Sequence, residues 1–197
     1  MVRAHLAFAA DARRLGHAHG PRDRTPEVSH SIGEGERVVA DAVLHPTLIQ
    51  GEQRRKLRAF VEVDRATMSG ERLAVKPIEY ARPQRYEAQP VGRRRRGAAE
   101  PGRLRWYPVF PRVLFVLTRA PRSRLEGRTG DLQAMTARRP LVAAPAREVP
   151  LGAAVLEDLE QHGPARNVWT PARRHAPPLD RPVTLPAFAG GYASESR

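Results

Sequence analysis

Four side chains in the middle of the chain have the types and spacing from which phosphodiester chemistry is built. Glu62 and Asp64 stand two residues apart in Ala59-Phe60-Val61-Glu62-Val63-Asp64, a run of β-formers with strict alternation at its end. On a strand they point to one face, roughly 6–7 Å apart from the rise per residue. Like charges that close repel, so the pair needs a cation, a proton or a basic neighbour. Asp41 sits inside Val38-Val39-Ala40-Asp41-Ala42-Val43-Leu44, which reads as a buried strand, where an isolated acid is costly unless paired or liganded. Lys76 follows on a helix-like segment in which Leu73, Lys76 and Tyr80 are three and four apart and share a face. An Asp on one strand, a hairpin, then Glu-x-Asp on the next is a layout of metal-dependent phosphodiesterases. Clustered carboxylates there hold Mg²⁺, which polarises the phosphate and generates hydroxide, and a lysine completes the set. Asp41, Glu62 and Asp64 are therefore the candidate metal ligands and, with Lys76, the candidate catalytic residues. The competing reading is a buried ionic network tying Lys76 to Glu62, which needs no metal.

The elements that must position these residues follow from pattern. Pro77 and Pro83 fall inside the Lys76 helix, so a break or bend is expected, with Lys76 pushed out of the helical region by the proline after it. Residues 45–56 read as a hairpin connection whose basic tip is Arg54-Arg55-Lys56. Upstream, residues 4–16 form a helix with Leu6, Ala9, Ala10 and Leu15 on one face and Arg13 and Arg14 opposite. Residues 17–36 read as loop with a short strand at 27–30; His17 and His19 there are solvated rather than metal-bound. Downstream, Val113 to Thr118 is the most apolar run and reads as a central strand buried on both faces. A helix from Arg119 to Ala137 turns Leu125, Leu132 and Met135 inward, with an interruption at Gly127–Gly130. Leu141 to Ala144 is a further strand, and 155–160 a short helix closed by Gly163-Pro164.

This order of strands and helices gives an α/β domain with a mixed central sheet and flanking helices. The domain spans 1–171 and includes an Arg/Gly/Pro-rich loop at 88–105 with the basic block Arg93-Arg94-Arg95-Arg96. A proline-rich tail at 172–197 is expected to be irregular, disordered or draped.

Composition narrows the partners. The 197 residues contain no cysteine, which excludes disulfides and thiolate metal sites. No apolar run approaches the ~18–20 residues of a membrane span, and no signal-peptide layout is present, so a cytoplasmic protein is expected. The formal net charge is +13, and every basic residue except Lys56 and Lys76 is arginine. Part of that bias reflects codon usage in a GC-rich genome. Even so, the surplus favours a polyanion, nucleic acid first. Arg54, Arg55, Lys56 and Arg93 to Arg96 are the candidate nucleic-acid contacts.

The series Asp41-Ala-Val-Leu, Phe60-Val-Glu62-Val-Asp64-Arg-Ala-Thr67, Leu73-x-x-Lys76 and Tyr80 resembles the replication-relaxation family. So do the strand 113–118 and the ending Leu156-Glu-Asp-Leu159…Gly163-Pro164…Val168-Trp169. Proteins of that family are encoded by plasmids and integrated mobile elements of Gram-positive bacteria. The resemblance runs collinearly over roughly residues 4–171. It implies a role in plasmid replication or DNA relaxation and transfer, with DNA and other plasmid replication or transfer proteins as partners. A winged-helix region usually precedes this part in the family and is missing here, so a truncated, non-functional copy is one reading. The α/β part also resembles the PD-(D/E)xK, restriction-endonuclease-like fold, with Asp41 in the first acidic position and Glu62 in the second. Two departures stand out: Asp64 occupies the place of the catalytic lysine, and Ala40 that of a proline. The resemblance thus implies either a DNA-binding accessory protein or, with Lys76 supplying the lysine from the helix, an Mg²⁺-dependent DNA nuclease.

Overall fold

The alternating apolar segments fold around one mixed sheet. The structure, a computed structural model, describes residues 1–31, 36–85, 107 and 109–173. The loop block Arg93–Arg96 and the tail from residue 174 lie outside the described residues. After helix α1 (Val2–Arg14) the chain makes strands β1 (Arg24–Ser31) and β2 (Arg37–Leu44), a separate hairpin of β3 (Thr47–Gln50) and β4 (Gln53–Lys56), and β5 (Ala59–Asp64). Helix α2 (Gly70–Arg85), strand β6 (Arg112–Leu117), helices α3 (Arg122–Arg138), α4 (Pro140–Ala143) and α5 (Pro145–Glu148) follow. Strand β7 (Leu151–Val155), helix α6 (Leu156–His162) and β8 (Thr170–Pro171) complete the order. The six-stranded sheet runs β1-β2-β5-β6-β7-β8. β1, β2 and β5 are antiparallel, β5, β6 and β7 parallel, and β8 antiparallel at the far edge.

Both faces of the sheet are covered. On one, Phe60, Val113, Phe115 and Leu117 pack with Leu73 and Tyr80 of α2 and Leu125 and Leu132 of α3. On the other, Val61, Leu114 and Val116 pack with Ala4 and Ala7 of α1, Leu159 of α6 and Trp169. β6 is buried along almost its whole length, as its unbroken apolar run predicts.

Five expectations are corrected. Neither proline ends α2, which runs unbroken to Arg85 and keeps Lys76 helical. Pro77 is buried in an apolar seam with Tyr80, Phe110, Val142 and Val149, where packing outweighs one missing hydrogen bond. The glycines at 127 and 130 do not interrupt α3. Leu141 to Ala143 is helix and Ala144 the turn that joins it to α5, because Pro140 and Pro145 each sit at a first helical position. The strand in that region is β7, whose Gly152, Ala153 and Ala154 carry little β signal but are buried. Finally, α1 buries Ala4, Ala7, Asp11 and Ala12, while Leu6 is 58% and Leu15 37% exposed. The helix carries two apolar faces, and the one with small side chains fits against α6.

Asp11 draws that face inward. Its Oδ2 accepts the Ala165 N–H at 2.8 Å, and its other oxygen pairs with Arg14. Gly163 closes α6 at φ +89°, and a Cβ there would lie 2.4 Å from Asp11 Oδ1. Gly163→Ala therefore meets both a left-handed backbone and a clash. It is expected to cost about 2–3 kcal/mol. Gly127→Ala, in α3 with open space around it, is expected to gain about 0.5–1 kcal/mol. Urea unfolding of the two variants checks the opposite signs.

Candidate functional site

β5 presents Phe60, Glu62 and Asp64 to the α2–α3 layer, as its alternation predicts. Glu62 is 6% and Asp64 1% exposed, so both carboxylates must find partners within the protein. They find different ones. The Tyr80 hydroxyl, two helical turns along the same face from Leu73, donates to Glu62 Oε1. Lys76 Nζ lies 3.7 Å from Glu62 Oε2 and 3.2 Å from Glu79 Oε2. Asp64 Oδ2 takes the Nε–H of Arg128, itself 5% exposed, and Asp64 Oδ1 accepts the Ala66 N–H at 3.0 Å. The Arg128 Nη2 is buried without a partner among the described residues.

Electrostatics follow from this placement. Burial pushes the Glu62 carboxyl up to about 7; the Tyr80 hydrogen bond and Lys76 pull against it, and Asp41 and Glu79 add repulsion. Tyr80 is held well above the ordinary phenol range, by burial first and then by Glu62. Burial works against the charge of Lys76, yet Glu62 and Glu79 outweigh it and leave its pKa raised.

Asp41 differs from expectation. It is exposed rather than buried, and its Oδ2 accepts the Val63 N–H at 2.8 Å. The side chain thus extends the ladder of β2 and β5 past its last pairs, which end with Ala42 opposite Val61. The alternation of β2 slips here: Val38, Ala40 and Val43 share one core cluster while Leu44 joins the other. Arg54, Arg55 and Lys56 are not the hairpin tip. They lie along β4, opposite Ile49, Leu48 and Thr47, and the tip is Gly51-Glu52, with Gly51 at φ +59°. His17 accepts the Ile49 N–H at 3.3 Å, and His19 lies 3.2 Å from His5.

Asp41, Glu62 and Lys76 are therefore brought together, and Asp64 is turned away into α3. Mg²⁺ needs several oxygen ligands around one point. Among the described residues no three His, Asp or Glu side chains are grouped to hold a metal ion. With Asp64 committed to Arg128, the donor set does not fit Mg²⁺.

Arg128 is the residue that pattern reading passes over. Its signal is a cation three residues after Leu125 and four before Leu132, in the middle of an apolar stripe that otherwise faces the sheet. The buried His30–Tyr107 contact, 3.0 Å between Nε2 and the hydroxyl, was equally silent. Comparison of the chain with protein-family models, curated proteins and solved structures found no match.

Two predictions follow from this geometry. Arg128→Met leaves a buried carboxylate uncompensated and is expected to cost about 3–5 kcal/mol, whereas Asp64→Leu with Arg128→Met returns to within about 2 kcal/mol of wild type. Chemical denaturation of both variants checks this. For Glu62, the folded pKa of about 7 lies above the unfolded value of 4.5. The folded state thus keeps a proton that the unfolded chain releases, and stability is lost as pH rises through that window. The loss is about 3 kcal/mol. Glu62→Gln, which still accepts the Tyr80 hydroxyl, should flatten unfolding free energy between about pH 4.5 and 7; an unchanged slope would refute the assignment.

Proposed function

We propose that this is a DNA-associated accessory protein of plasmid or mobile-element replication and relaxation, holding DNA through arginine–phosphate contacts. On this reading it is a relative of the replication-relaxation proteins, with a restriction-endonuclease-like scaffold that does not cut. The architecture supports the scaffold: a helix, an antiparallel strand bearing Asp41, a hairpin, then Glu62-x-Asp64 on the adjacent strand, with α2 crossing to a parallel neighbour. The observation that carries the reading is the division of charge. The interior carboxylates are satisfied by Tyr80, Lys76 and Arg128, while most of the described arginines of this +13 chain stand exposed at the surface. A protein built so has little to offer in-line hydrolysis and much to offer a phosphate backbone. Arg54 and Lys56, both exposed on β4, are part of that surface, beside Arg55.

The test is fluorescence anisotropy with a labelled duplex from 50 to 300 mM salt, with and without EDTA. Binding is expected to be indifferent to EDTA, with log K falling by at least about 4 per decade of salt, as for four or more phosphates. Arg54→Gln with Lys56→Gln should reduce that slope by about 2. Cleavage of supercoiled plasmid in Mg²⁺, abolished by EDTA, would replace this reading with the nuclease; absence of DNA binding at 50 mM salt would end it.

A further inference from the structure

β5 and β6 are parallel and in register, with Asp64 beside Leu117. Two residues past those ends stand Ala66 at φ +56° and Arg119 at φ +63°. The adjacent strands therefore leave the sheet through left-handed residues at equivalent positions, neither of them glycine. This conformation is disfavoured for side chains with a Cβ. Arginine is a poor choice there on backbone grounds alone.

Its neighbours are also basic. Arg65 follows β5 directly and is exposed, and the Arg124 guanidinium on α3 donates to the Ala66 carbonyl at 3.4 Å. Apart from Asp41, which accepts the Val63 N–H, the acids at this end of the sheet are already taken. Glu160 receives Arg3 at 2.6 Å, Asp158 receives Arg122 at 2.7 Å, and Glu157 accepts the Thr118 hydroxyl at 3.2 Å and lies 3.6 Å from Arg3. Among the described residues, Arg65, Arg119 and Arg124 pair with no carboxylate. The Met1 amino group senses the same convergence: burial lowers its pKa first, and Arg65, Arg24 and Arg119 lower it further, with only Asp41 opposing.

We infer that the carboxyl-terminal edge of β5 and β6 is a phosphodiester-binding site in which Arg65, Arg119 and Arg124 hold successive phosphates of duplex DNA. This rests on the DNA-binding reading above and gives it a second place. Lys56 leads into the start of β5 and Arg65 leaves its end, so the two basic clusters are about 20 Å or more apart along the strand. Asp41 borders the edge and repels the same phosphates.

The experiment measures anisotropy of a labelled 20-base-pair duplex over a salt series with the full chain. Arg65→Gln/Arg119→Gln/Arg124→Gln is expected to lower the salt slope by about 2.7 and the affinity at 0.1 M salt by at least about 100-fold. Arg119→Gly guards against a folding artefact. It relieves the left-handed backbone, so Tm should rise, while affinity drops about 5–10-fold with the loss of one phosphate contact. Asp41→Asn, which keeps the acceptor for Val63, should tighten binding. If wild type binds DNA while Arg119→Gly and the triple variant bind with the wild-type slope, the edge is not the site and the general DNA reading stands on β4. If wild type shows no salt-dependent binding, both readings fall together.

Discussion

The contact on which the middle of the molecule depends is the buried pair of Asp64 and Arg128, joining the end of β5 to the centre of α3. β5 is the strand at which the sheet changes from antiparallel to parallel pairing, so its exit decides where the crossover helices begin. A carboxylate at 1% exposure needs a cation or hydrogen-bond donors against it. Arg128 supplies the cation, and the second carboxylate oxygen is free to accept from Ala66. That bond bends the chain into the left-handed turn, which in turn offers the Ala66 carbonyl to Arg124. One ion pair thus orients a strand end, a turn and the first turn of a helix. Arg119 repeats the turn on the neighbouring strand.

Glu62 is handled by different means, and the contrast is physical. Its neighbours are a phenol and a partly exposed ammonium shared with Glu79, a weaker compensation than a buried guanidinium. Burial consequently wins and the carboxyl titrates near 7. Two acids two residues apart on one face of one strand have been driven to opposite solutions, one paired with a buried guanidinium and one poised near neutrality by burial. The repulsion that a Glu-x-Asp strand creates is resolved by separating the charges onto α2 and α3 rather than by a shared metal.

The parts of this arrangement with strong periodicity were legible in the sequence: β2, β5, β6, the face shared by Glu62 and Asp64, and the Leu73, Lys76, Tyr80 stripe of α2. What was hidden depends on tertiary fit. A proline at position 77 argues against helix locally, but its burial beside Tyr80 and Val149 overrides the propensity. α1 offers two apolar faces, and only the presence of Gly163 and the Ala165 N–H selects the one bearing Asp11. β7 is strand because it is sandwiched between β6 and β8, which its Gly-Ala-Ala centre cannot announce. Arg128 could have been found as a cation within an apolar stripe, but its partner lies 64 residues away.

The separation of charge also bears on the proposed phosphate contacts of the outer arginines. Were Glu62 and Asp64 both ionised and exposed, they would place two negative charges beside the carboxyl edge, where Asp41 already stands, and cancel much of the field of Arg65, Arg119 and Arg124. Pairing Asp64 with Arg128 removes one such charge from the edge, and burial protonates a large share of Glu62 near neutral pH. Screening shortens the reach of exposed charges to about 8–10 Å in physiological salt, so the local balance at the strand ends matters more than the net +13 of the chain. The interior network and the basic edge are then parts of one electrostatic design: acids neutralised inside the α2–α3 layer leave the strand ends positive, where the proposed phosphate contacts would form.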